Sequence, residues 1–68
     1  MAPINDYRAV VYSEKNGGDK IYDNVVPTEF DAKMEIASVK DINKAKYPNA
    51  VGSIQNRKTG KWVYWQNL

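Results

Sequence analysis

The run Lys61-Trp62-Val63-Tyr64-Trp65, set directly after Arg57-Lys58-Thr59-Gly60, constrains the fold of this chain more than any other stretch. β-Branched and aromatic side chains fit a pleated surface, and a glycine closing a short polar run supplies the left-handed conformation that tight hairpin loops need. With Ala50-Val51-Gly52-Ser53-Ile54-Gln55 before it, the segment reads as a β-hairpin. A turn from Arg57 through Gly60 pairs Ile54 with Val63 and Gly52 with Trp65. Those residues then face inward, and Trp62 and Tyr64 face outward beside Ser53 and Gln55. A loop shorter by one residue reverses the two faces.

A second strand signal lies near the start, in Tyr7-Arg8-Ala9-Val10-Val11-Tyr12. Lys15-Asn16-Gly17-Gly18-Asp19-Lys20 follows as a turn, its adjacent glycines permitting positive φ, and Ile21-Tyr22-Asp23-Asn24-Val25-Val26 folds back as a less regular strand. The glycine pair lacks the further glycines, the lysine-serine or lysine-threonine ending and the helix start of a phosphate-binding loop.

Two patterns compete in the segment after Pro27. Thr28 as N-cap, Asp31 in a capping-box-like position, Val26 as a staple, early acids, late lysines and Pro48 as a stop together describe a helix from about Thr28 to Lys46. Its apolar face is expected to be Phe30, Met34, Ala37 and Ala45, widened by Ile36, Val39 and Ile42. Against it, Phe30, Ala32, Met34 and Ile36 alternate with Asp31, Lys33 and Glu35 at the period of a strand. Propensity favours the helix, because Ala, Lys, Met and Glu are good helix formers. The expectation is one α+β domain over residues 1–68, a small antiparallel sheet packed on one helix in ββαββ or βαββ order.

With 68 residues and neither cysteine nor histidine, the chain has one thin core and a short list of chemistries. A disulfide scaffold, a thiolate zinc site and a cysteine nucleophile are excluded, and the commonest general base is missing. Ser13, Ser38 and Ser53 have no histidine to activate them. Asp19, Asp23, Glu29 and Asp31 match no calcium loop or catalytic signature, and read as turn, cap and solvated residues. No enzyme activity, cofactor or metal is therefore expected. No apolar run is long enough for a membrane span, so no membrane partner is expected and a cytoplasmic setting is the default.

The expected function lies on the surface. A sheet covered by one helix has one solvent face, and the terminal strand carries aromatics on both sides. Contiguous exposed rings mark interaction surfaces, and Trp, Tyr and Arg dominate binding energies. Trp62, Tyr64 and Trp65 are the candidate anchors, with Arg57, Lys58 and Lys61 steering approach to an acidic surface of a protein or protein complex. Through residue 34 the chain has four bases against six acids, and from Glu35 onward six bases against two, so the field orients rather than strongly attracts. Burial of the rings by the N-terminal arm, or a homodimer covering the open face, satisfies the same physics. The alternative partner is single-stranded nucleic acid, with Arg57, Lys58 and Lys61 on phosphates and exposed rings stacked on bases. The small cluster of bases argues for weak binding in that case.

The outline of strand and turn, a helix around Asp31-Ala32-Lys33 and a hairpin with Thr59-Gly60-Lys61-Trp62-Val63 resembles short phage-encoded accessory proteins, including some anti-CRISPR proteins. That resemblance implies a noncatalytic inhibitor in the host cytoplasm, occupying a surface of a host complex. It transfers no site residue.

Overall fold

The computed structural model describes residues 5–14 and 18–65; the side chains of Tyr64 and Trp65 lie outside the described residues. The order is β1 (Tyr7–Tyr12), β2 (Lys20–Val26), α1 (Glu29–Ile42), β3 (Val51–Asn56) and β4 (Trp62–Trp65). One antiparallel sheet in the order β2-β1-β3-β4 is covered by the helix, giving an α+β fold of ββαββ connectivity. The first and third strands to form the centre are far apart in the chain: β1 pairs β3 from Tyr7↔Asn56 to Tyr12↔Val51.

The segment after Pro27 is helical throughout. Thr28 has extended backbone and caps it, its Oγ1 accepting from the Asp31 N–H at 3.1 Å and donating to Asp31 Oδ2 at 2.9 Å. The helix stops at Ile42, short of the expected Lys46. Asn43 caps it at φ −99° and ψ 11°: its backbone N–H still bonds the Val39 carbonyl at 3.0 Å, with its side-chain amide adding a bond of 2.8 Å to the same oxygen, but the Lys44 N–H turns to the Asp41 carbonyl at 3.3 Å instead of continuing the helix. Lys44, Ala45 and Lys46 lie in the turns that follow.

The buried helical face also differs from the expected one. Ala32 and Ile36 are fully buried, and Val39 packs partly against them, a spacing that lies on one side of a helix. Phe30, Met34 and Ile42 are exposed, and Ala45 lies outside the helix and exposed. The reason is how closely α1 approaches the sheet. A Cβ on Gly52 would stand 2.2 Å from Ile36 Cγ2, so the Ile36 side chain seats on the β3 backbone where only glycine leaves room, and Phe30 and Met34, each two residues from Ala32, fall on the far side of the helix. Ala9, Val11, Val26, Ala50 and Ile54 complete the core.

At the first hairpin, Ser13 N–H donates to the Asp19 carbonyl at 2.8 Å and Asp19 N–H to Ser13 Oγ at 2.9 Å. Lys15, Asn16 and Gly17 lie outside the described residues. Gly18 does not take the positive φ expected of the glycine pair; it serves instead where a Cβ would collide with the Glu14 backbone.

Polar contacts tie the helix to β2. Glu35 Oε1 accepts from the Tyr22 hydroxyl and, at 2.9 Å, from Asn24 Nδ2. The hydrogen bond to Glu35 raises the Tyr22 pKa above its ordinary 10.0, with burial and the carboxylate charge adding to it. A folded-state pKa above the unfolded one stabilises the fold fully below pH 10 and loses that contribution as pH rises through the folded value. Tyrosine absorbance titration is therefore expected to show one late-titrating ring that Tyr22→Phe removes. Denaturation across the same pH range should lose stability less steeply in that variant. A late phase that survives the substitution would assign it to another tyrosine.

Candidate functional site

The C-terminal hairpin is built as the glycine and flanking strands suggested. Asn56 N–H donates to the Lys61 carbonyl at 2.9 Å and Gly60 N–H to the Asn56 carbonyl at 2.7 Å, enclosing Arg57 through Gly60 as the loop. Gly60 has φ of 77°, and among the described residues it alone takes positive φ. Asn56 Oδ1 accepts from the Lys58 N–H at 3.0 Å and the Thr59 N–H at 3.4 Å, locking the turn from inside. The resulting register is Gly52↔Trp65, Ser53↔Tyr64, Ile54↔Val63 and Gln55↔Trp62, which is the longer-loop alternative.

Ile54 and Gly52 are buried on the helix side, but Val63, expected inward with them, is 57% exposed. An α-helix with its side chains is about 10–12 Å wide, whereas four strands spaced about 4.8 Å apart present a wider surface. α1 lies over β1, with β2 and β3 at its flanks, and leaves β4 uncovered. A shallow groove of about 260 Å³ follows, lined by Tyr7, Glu29, Ile54, Lys61 and Val63 among others.

The opposite face is only partly open. Trp62 is 48% exposed there, yet Val10 at its centre is 2% exposed and Ser53 beside it 5%. Along β1, Val10 lies between Arg8 and Tyr12, and across the sheet between Asp23 and Ser53. Arg8 Nε stands 3.3 Å from Asp23 Oδ1 at an angle that makes no hydrogen bond, and Lys20 Nζ reaches Asp23 Oδ2 at 3.1 Å.

The expected site residues separate into three groups. Arg57 and Lys58 are engaged with the N-terminal segment: Arg57 Nη1 donates to the Asn5 carbonyl at 2.8 Å, and Lys58 Nζ lies 3.4 Å from Asp6 Oδ2. Lys61 and Trp62 are exposed, and the Lys61 ammonium has no partner among the described residues. Tyr64 and Trp65 keep their register positions on β4, while their side chains lie outside the described residues. Sequence reasoning missed a second apolar surface, Phe30 at 69% and Met34 at 56% exposure on the outer side of α1. Their i, i+4 spacing was visible; that the spacing faces away from the sheet was not.

Asp19, Asp23, Glu29 and Asp31 do not converge, and among the described residues no three acidic side chains could hold a metal ion. No helix among the described residues is long and apolar enough to cross a membrane. No family model, curated protein or solved structure matches the chain.

Proposed function

We propose that this domain is a noncatalytic recognition module that binds a protein partner through its C-terminal hairpin, with Trp62 as the anchor. The observation that carries this reading is a half-exposed tryptophan held on a strand whose turn is fixed by internal hydrogen bonds. A large ring already ordered loses little freedom on binding, which is why such residues act as hot spots. Lys61, on the groove side of the same strand and without an ion-pair partner among the described residues, adds a cation suited to an acidic rim on the partner. Arg57 and Lys58 support the reading by bracing the turn against Asn5 and Asp6. With those two cations engaged, single-stranded nucleic acid is the weaker reading, since few phosphates would be neutralised. The further expectation of a phage-encoded inhibitor acting in a host cytoplasm rests on the resemblance of outline alone.

Affinity capture from a host lysate, followed by titration of the recovered protein, tests the proposal. Trp62→Ala is expected to weaken binding by roughly 30-fold or more, about 2 kcal/mol, with unchanged far-UV circular dichroism. Phe30→Ala should bind as wild type. Retained affinity in Trp62→Ala together with loss in Phe30→Ala would move the site to the outer helix face. Salt-sensitive binding of an oligonucleotide, with no protein partner, would favour the nucleic-acid reading instead.

A further inference from the structure

The two edges of the sheet are defended unequally. β2 carries Lys20 and Asp23, tied in ion pairs, and its pairing with β1 is broken by an irregularity between Val11 and Tyr12. Charges and bulges of this kind discourage another strand from adding. β4 has neither: Trp62–Trp65 is uncharged, without proline, and regular in its pairing.

Its free backbone groups follow from the ladder. The Asn56 N–H bond to the Lys61 carbonyl makes that pair a hydrogen-bonded one, so by antiparallel alternation Val63 and Trp65 also turn their backbone groups toward β3. Trp62 and Tyr64 turn theirs outward. Gly60, the preceding outward position, already donates to Asn56. Among the described residues, the free edge is therefore centred on Val63.

We propose that β4 pairs antiparallel with β4 of a second copy of this chain, about a two-fold axis through Val63, joining the two sheets into one. In this register Trp62 faces Tyr64 of the partner copy, and each exchanges both N–H···O bonds with the other. Val63 meets the same valine of the partner copy on the helix side, removing from water a side chain that the helix leaves uncovered. Lys61 falls opposite the partner copy's Trp65, so the two Lys61 backbone positions stand about 14 Å apart along the strands, beyond a Debye length of about 8 Å. No like charges collide, and the strand is complementary to itself. The pairing goes beyond the partner-binding reading and does not need it, because the outward face carrying Trp62 stays accessible.

The chain contains no cysteine, so single-cysteine variants report the register directly. Val63→Cys places two thiols at a non-hydrogen-bonded pair with Cα atoms about 4.5 Å apart, within the roughly 4.4–6.8 Å that a disulfide spans. Under mild oxidation it is expected to give a covalent dimer at least about tenfold faster than Lys61→Cys, since pairing raises the local thiol concentration. Sedimentation of the unaltered chain should show mass rising from 7.8 kDa toward twice that value with concentration, and Val63→Lys should abolish the rise. Equal oxidation rates for the two cysteine variants would overturn the proposal, as would self-association that survives Val63→Lys. If Val63→Lys does not fold, the oxidation comparison decides alone. A monomer at every concentration also overturns it, without bearing on Trp62 as an anchor for another protein.

Discussion

Gly52→Ala is expected to remove a large part of the stability of this domain. The added methyl would lie 2.2 Å from Ile36 Cγ2, 3.0 Å from Cδ1 and 3.2 Å from Cγ1. Ile36 is fully buried and has nowhere to retreat. Overpacking of this kind costs about 1–3 kcal/mol, and occasionally more. A chain of this length has in total only about 3–10 kcal/mol at typical per-residue stability. Ile36→Ala alone should cost about 2–5 kcal/mol by leaving a cavity. The double variant is the informative one, because the new methyl on position 52 enters space that position 36 has vacated. Its cost should fall short of the sum of the single costs by about 1–3 kcal/mol, read from urea denaturation of the four proteins. Strict additivity would mean that helix and strand are not in the close contact described.

Val10→Ala should destabilise about as much as Val11→Ala, although the two side chains point to opposite faces of β1. Each is buried to 2% exposure or less, Val11 beneath α1 and Val10 on the face that no described helix or strand covers. Removing the equivalent of two buried methylene-sized groups costs about 1.5–2 kcal/mol on transfer grounds. A bare solvent face would instead make Val10→Ala nearly neutral. Thermal or urea denaturation of the pair separates these outcomes. A loss at Val10 below about a quarter of that at Val11 would show Val10 to be open to water in solution.

Much of the fold was legible because local signals agreed. The Arg57–Gly60 loop, with glycine at its close, narrowed the hairpin register to two alternatives, of which the structure takes the longer loop, and Thr28 with Asp31 favoured the helix start that is found. The failures came where the outcome depended on distances between elements. Phe30 and Met34 look like core residues by hydrophobicity, yet Ile36, seated on Gly52, and Ala32 define the buried face, which turns Phe30 and Met34 outward. The helix ends where Asn43 leaves helical dihedrals and Lys44 N–H turns to the Asp41 carbonyl, and Pro48 is reached only later. The candidate site was legible in part. Trp62 faces outward, as the longer of the two loop alternatives requires, but the commitments of Arg57 and Lys58 to Asn5 and Asp6 join residues about fifty positions apart, which no local pattern reports.

The placement of β1 at the middle of the sheet has a kinetic corollary. The first hairpin emerges with one flank of its inner strand still bare, and that flank stays sticky until Val51–Asn56 arrives to zip alongside it. Closing so distant a pairing is expected to set the pace of folding and to leave the early half of the molecule open to wrong neighbours in the interval.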